Sequence, residues 1–233
     1  MSGVLYGLGL GPGDPELITL KTVRLIKEAD VVAYPALVGG DSFARSIAQE
    51  FIPEDCIELS IEIPMAVARA PAQAAYDQGA STIAQYLSEG LNVVVLCEGD
   101  PFFYGSFMYL FARLSGEFTT EVIPGVTSIS ACAAAVAAPL SSRNEVLTIL
   151  PAPLPTEELV ARIGVSDSFA IMKVGRHLPK IKRMLDELGL TQYAHYIERA
   201  SLPNQVVLPL EDAPEKAPYF SMILVTKGND PWL

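Results

Sequence analysis

The segment Cys97 to Phe107, CEGDPFFYGSF, gathers in one short run the residue types that hold a small ligand. Gly99 lets the backbone approach a ligand with no side chain between them, Asp100 supplies an acceptor, and Pro101 stiffens the turn. Asn92 to Leu96 before it reads as a buried parallel strand, and Gly105 onward reads as a helix. In open α/β sheets small ligands bind beyond such strand ends. Two more loops have the same setting. GLGLGPGDPEL at Gly7 to Leu17 follows the first strand and projects Asp14, and IPGVTSIS at Ile123 to Ser130 opens a helix with Thr127 and Ser128. Either hydroxyl could face a ligand or cap the helix.

These loops lack the marks of a nucleotide site. After Gly7 and Gly9, Pro12 takes the third glycine position of G-x-G-x-x-G and removes an N–H donor, and no Gly-Lys-Ser/Thr ending completes a P-loop. There is also no Ser-His-Asp set and no metal-ligand spacing, so no metal is expected. His177 and His195 lie in the second half and read as structural, and Cys56, Cys97 and Cys132 read as free thiols, the last two in or beside apolar runs. A site that binds but carries no acid–base constellation suits a reaction whose electrophile arrives already activated. Methyl transfer from S-adenosylmethionine is one, because proximity is then most of the catalysis.

The elements that must position the loops alternate strand and helix up to about residue 140. Strands at Val4 to Leu10, Asp30 to Tyr34, Cys56 to Leu59, Asn92 to Leu96 and Thr120 to Ile123 are separated by helices, which predicts a parallel sheet with crossover helices. The polar patch PLSSRN, Pro139 to Asn144, marks the expected boundary between a domain of residues 1–140 and one of 141–233. In the second part, strands near 145–150 and 168–174 alternate with helices from 156 and 179. The closely spaced runs near 193–199, 205–209 and 219–226 predict a mixed sheet with a hairpin-rich end.

Composition narrows the setting. With 50% hydrophobic and 18% charged residues the chain is globular, and its net charge of −11, without a dense Lys/Arg cluster, argues against nucleic acid. No apolar run approaches the roughly 20 residues of a membrane span. The start MSGVLYGLGLG lacks a basic leader, so a soluble cytoplasmic protein with no membrane partner is expected.

Four segments in order resemble the successive signatures of the tetrapyrrole methyltransferases of cobalamin and sirohaem synthesis. They are Gly7 to Lys21, Cys97 to Phe107, Val122 to Ala131 (VIPGVTSISA) and Ile171 to Arg176 (IMKVGR). Val31 to Ala48 and the Cys-Glu before Gly99 are most similar to the branch acting on precorrin-2 at carbon 20. The resemblance spans the chain and implies a two-domain α/β tetrapyrrole methylase fold, a mostly parallel N-terminal sheet and a mixed C-terminal one. It also implies a homodimer, with S-adenosylmethionine in the cleft between the domains and S-adenosylhomocysteine as product. By motif position it implies cofactor contacts at Pro12, Glu98, Gly99, Asp100, Phe103, Thr127, Ser128, Met172 and Ala200, with Thr226 a weaker candidate. Asp14 and Tyr104 are candidates for substrate orientation or proton handling. Arg45, Arg113, Arg143 and Arg176 could meet the carboxylates of a small-molecule tetrapyrrole in an otherwise acidic protein. No residue is singled out as catalytic. The competing expectations are a cobalt-factor II C(20)-methyltransferase and a non-catalytic module that only senses S-adenosylmethionine. Uroporphyrinogen III methyltransferase usually has Gly-Gly before Asp-Pro, and diphthine synthase needs room for a protein.

Overall fold

Strand Val93–Cys97 (β4), the VVVLC run, is apolar at every position because both of its faces are covered. Its alternate residues Val94 and Leu96 pack with one helical layer, and Val93, Val95 and Cys97 with the other. The structure is a computed structural model that describes residues 2–64 and 69–227. It divides into two units, residues 1–127 and 128–233.

In the first unit β4 lies in a five-stranded parallel sheet with Leu5–Gly9 (β1), Val31–Leu37 (β2), Ile57–Ile63 (β3) and Thr120–Ile123 (β5), in the order β3-β2-β4-β1-β5. Helices Leu20–Lys27 (α1) and Phe43–Ala48 (α2) bury Leu25, Ile26, Ile47 and Ala48 against Leu8, Val32, Val94 and Leu96 on one face. Helices Arg69–Ser88 (α3) and Phe107–Leu114 (α4) bury Ile83, Leu87, Phe107 and Leu110 against the other. The chain therefore leaves β1 toward one layer and its neighbour β4 toward the opposite layer. That divergence is the switch point at which an open α/β sheet opens a crevice. Serine and threonine start the helices of the first layer: Thr19 caps α1 through Thr22 N–H, and Ser42 caps α2 through Arg45 N–H.

The second unit starts with Ser128–Val136 (α5), which packs along two strands of its sheet. Strands Leu147–Pro151 (β6), Ser168–Met172 (β7), Ala194–Glu198 (β8), Val206–Pro209 (β9) and Ser221–Thr226 (β10) form a mixed sheet in the order β6-β7-β10-β8-β9. Helices Thr156–Gly164 (α6) and Leu178–Glu187 (α7) seal one face around Phe169, Ile171, Tyr196 and Ile223. The division falls one helix before the boundary expected after residue 140. The polar patch there ends α5 without separating it from the sheet it packs on. The hairpin-rich end is also simpler than expected. Among the described residues β8 and β9 alone form a direct antiparallel hairpin, and β10 crosses back to the centre, antiparallel to both β7 and β8.

One buried polar group stiffens the end of β8. The Tyr196 hydroxyl donates to Glu198 Oε1 at 2.6 Å, and Glu198 Oε2 lies 2.6 Å from Arg199 Nη2. Tyr196→Phe is expected to destabilise the protein by about 2 kcal/mol in urea titration, the cost of a bond to a charged acceptor. Burial, then the bond to Glu198, raises the Tyr196 phenol above its ordinary value. The unfolded chain then ionises this phenol first, so its contribution is complete below pH ~10 and fades as pH rises further. A wild-type stability curve that stays parallel to the Tyr196→Phe curve above that pH would contradict the assignment.

Candidate active site

The three loops at the carboxyl edge of β1, β4 and β5 are stitched into one block by their own backbones. Gly99 N–H donates to Gly11 O at 2.7 Å, Gly11 N–H returns to Gly99 O at 3.2 Å, and Leu10 N–H donates to Cys97 O at 2.9 Å. The third loop joins through a side chain: Gly125 N–H donates to Asp100 Oδ2 at 3.0 Å. Asp100 Oδ1 also accepts from Phe102 N–H at 2.9 Å and Phe103 N–H at 3.1 Å. The Asp100 carboxylate, expected to offer an acceptor to a ligand, is thus occupied in holding two loops together. Asp14 is likewise employed as a cap, accepting from Glu16 N–H at 2.9 Å.

The glycines divide into two kinds. A Cβ on Gly9 would stand 2.4 Å from Gly125 N, and one on Gly125 would stand 2.1 Å from Gly99 O. These two exist for the contact between loops, a role the sequence reading missed although both were in view within GLGLG and IPGV. Gly99 is different: its φ is +67° and a Cβ there would meet nothing within 4 Å. An open, left-handed glycine on an otherwise locked loop fits a ligand that the backbone itself approaches. Pro12, Phe103 and Thr127 are half-buried on the same three loops. Tyr104 is 44% exposed and held at φ 56°, in the left-handed region that bulky side chains avoid.

Glu98 continues β4 into the loop. Burial raises its carboxyl above the usual range, partly offset by its own N–H and that of Ala44. The neighbouring Cys97 thiol is pushed far up by burial, and Cys132 up to about 12, so neither is a thiolate nucleophile near neutrality. Among the described residues no group of three or more His, Cys, Asp or Glu could hold a metal ion. No helix among them is long and apolar enough to cross a membrane.

In the second unit β7 and β8 both run antiparallel to β10, so their carboxyl ends share one sheet edge. Met172 pairs with Met222 and Glu198 with Ser221, which brings Met172 and Ala200 to that edge. Lys173, Arg199 and Ser201, the residues flanking them, all adopt positive φ (59°, 49° and 72°). Thr226 is not part of this grouping. It pairs with Ser168 at the start of β7, about 13 Å along the strand from Met172. Ser128 is the first residue of α5 in this unit.

Arg45 and Arg113, expected to meet substrate carboxylates, are engaged within the first unit. Arg45 makes a two-pronged pair with Glu58 at 2.5 and 2.7 Å and lies over the Tyr34 ring. Arg113 donates to Asp77, Gln73 and Tyr109 O within 2.9 Å, tying α4 to α3. Arg143 is exposed at φ 42°, ahead of β6. Arg176 is exposed on the turn before α7, with its Nε 3.4 Å from His177 Nε2.

Residues 4–214 match the tetrapyrrole (corrin/porphyrin) methylases. The chain belongs to that family. It is 40% identical to a precorrin-2 C(20)-methyltransferase from Sinorhizobium sp., over 99% of each chain. It is 31% identical to a cobalt-precorrin-2 C(20)-methyltransferase from Salmonella typhimurium, over 97% of this chain and 98% of that one. CobIJ of Mycobacterium tuberculosis is 42% identical over 97% of this chain, which spans only 46% of that longer protein. Among solved tetrapyrrole methylases, uroporphyrin-III C-methyltransferase from Thermus thermophilus, complexed with S-adenosylhomocysteine, superposes with a TM-score of 0.68 at 26% identity. That match covers 97% of this chain and 92% of the other.

Proposed function

We propose that this tetrapyrrole methylase transfers the methyl group of S-adenosylmethionine to carbon 20 of precorrin-2, giving precorrin-3A in cobalamin synthesis. The observation that carries the reading is the end-to-end match, at 40% identity, to a relative named for that reaction. S-adenosylmethionine supplies a methyl group already activated by its sulfonium, so the protein's task is placement and charge balance. The locked loops at the switch point serve this task. Gly99 presents bare backbone to the cofactor, Asp100 fixes the loop that does so, and Pro12, Phe103 and Thr127 line the same edge. Ser128, Met172 and Ala200 complete the proposed cofactor set from the second unit. Tyr104, held strained and half in solvent, orients the macrocycle, and Arg176 and Arg143 meet its carboxylates. Arg45 and Arg113 support the fold instead. The active protein is proposed to be a cytoplasmic homodimer.

The test is incubation of the purified protein with labelled S-adenosylmethionine and either precorrin-2 or cobalt-factor II. The methylated carbon is located by NMR, and the mass of the active species is measured by light scattering. Transfer to carbon 20 of the metal-free substrate by a species of twice the chain mass is expected. Preference for the cobalt substrate would move the enzyme to the metal-first route. Cofactor binding without transfer to either would make the chain a sensing module.

A further inference from the structure

Past residue 95 the sheet of the first unit opens on one side of β4 and not on the other. β4 stays paired with β1 through Cys97, and the backbone bonds between Gly11 and Gly99 extend that seam into the loops. Its ladder with β2 stops at Ala33 and Val95, while β2 continues beside β3 as far as Leu37 and Ile63. Pro35 has no N–H with which to prolong the ladder, and its carbonyl accepts from the Ser42 hydroxyl at 2.6 Å. β2 then leads to α2 in one helical layer and β4 to α4 in the other, so the chain diverges here as well. The ends of β2 and β4 therefore bound a crevice at a second switch point of the same sheet.

The walls of this crevice are apolar. Large apolar side chains that stay exposed in the first unit collect at the carboxyl edge of its sheet. Leu17 and Leu20 follow β1, Leu37 and Val38 follow or end β2, and Phe102 and Tyr104 follow β4. Among the described residues of this unit Ile57, at the start of β3, is the exception. Leu37 and Val38 flank the crevice on the β2 side at 48% and 62% exposure, and Phe102 on the β4 side at 49%. Neither wall is slack. Gly40 N–H donates to Leu37 O at 2.9 Å around Gly39 at φ +68°, which makes residues 37–40 a tight turn. The Phe102 ring rests edge-on against Phe111, with centroids 5.1 Å apart. Apolar surface held in order and concentrated at one sheet edge marks a binding surface.

We propose that the turn of Leu37 and Val38, together with Phe102, holds the ring face of the tetrapyrrole substrate, an inference that rests on the methyltransferase reading above. Charge selects this occupant. The carboxylates Asp14, Asp41 and Asp100 stand on the same edge. Cations on the surrounding helices are taken: Arg45 on α2 by Glu58, Arg113 on α4 by Asp77, and Lys21 on α1 by Glu121. Such an edge repels the carboxylate arms of a tetrapyrrole and receives its apolar ring system, so that the arms point away from it. A second copy docked through the same edge would set carboxylate against carboxylate. The cofactor is served instead by the bare backbone at Gly99, on the stitched side of β4. The substrate and the cofactor thus lie to either side of one strand end, which is the placement that in-line transfer between them requires.

The test is the double substitution Leu37→Ser with Val38→Ser in the full chain, with Ile57→Ser at the opposite sheet edge as control. In the double variant KM for precorrin-2 should rise about 5- to 30-fold with kcat within about twofold, the mark of binding lost equally from ground and transition states. The dissociation constant of precorrin-2, titrated anaerobically with S-adenosylhomocysteine bound, should rise by the same factor. S-adenosylhomocysteine affinity by calorimetry and the mass by light scattering should stay as in wild type. Phe102→Ser should repeat the effect, and Ile57→Ser should not. If the double variant fails to fold, Val38→Ser alone decides, since Val38 lies outside the strand. KM and dissociation constant within twofold of wild type, or an equal rise in Ile57→Ser, overturn the assignment. Loss of S-adenosylhomocysteine affinity alone gives the turn to the cofactor, and a halved mass gives it to a second copy; either result overturns it too. A wild-type protein that binds precorrin-2 but methylates neither tetrapyrrole sinks the functional reading and leaves the titration to judge the crevice. One that does not bind precorrin-2 sinks both.

Discussion

Gly125→Ala is expected to cost about 3 kcal/mol of stability and to abolish S-adenosylhomocysteine binding. The added methyl would lie 2.1 Å from Gly99 O and 2.9 Å from the Gly9 backbone, so main chain would have to move against main chain. Neither partner is the free end of a side chain that could swing aside. Relief would require breaking the Gly11 and Gly99 pair or the bond from Gly125 N–H to Asp100, and with it the geometry of the loop that faces the ligand. Gly99→Ala is the comparison for stability alone, since its methyl meets open space within the protein and its φ of +67° costs only about 1 kcal/mol. Urea titration and calorimetry of both variants separate the cases. Equal small losses of stability would mean that the three loops are not the rigid block described.

Asp100→Ala comes next in expected size, at about 3 kcal/mol, because it strips the acceptor from three backbone N–H groups at once. Affinity for S-adenosylhomocysteine should fall at least tenfold through loss of loop order. Hydrogen exchange tells that cause from loss of a direct ligand contact. In the ligand-free variant the amides of Phe102, Phe103 and Gly125 should lose protection, whereas removal of a mere ligand contact would leave them as in wild type. Asp100→Asn should fall between, since its remaining oxygen can serve Phe102 and Phe103 while its NH2 faces the donor of Gly125.

Much of this site could be read from the residues. The buried run before Glu98, the punctuation by Gly99 and Pro101, and the repeat of that pattern at Pro12 and at Gly125 located three loops at one sheet edge. The parallel sheet gave the reason why they must meet. Side-chain partnership was out of reach. Arg45 looks the same in sequence whether it meets a substrate or Glu58, and the pairing depends on β3 lying beside β2. Asp100 reads as a free acceptor until Gly125, a distant residue, is brought against it. The place of β10 was hidden for a related reason. Spacing suggests which strands follow each other closely, but it does not reveal that the last will be inserted between β7 and β8. The same crossing fixes that Met222 and not Thr226 is the end of β10 that pairs with Met172.

The pairing of β1 with β4 and β5 also sets an order of events during synthesis. Leu5, Leu8 and the glycines of the first loop find their hydrogen-bonding neighbours only at residues 93–97 and 120–123. At ribosomal rates of about 5 to 20 residues per second, the first strand waits on the order of 5 to 20 s before either neighbour exists. During that interval β2 and β3, whose pairing spans a far shorter stretch of chain, can already associate through their own register. The ligand-binding edge is therefore among the last parts of the first unit to be assembled. A nascent chain halted between residues 97 and 120 would have the β4 partner of β1 but not β5, leaving one side of an apolar strand open to the association that holdase chaperones exist to prevent.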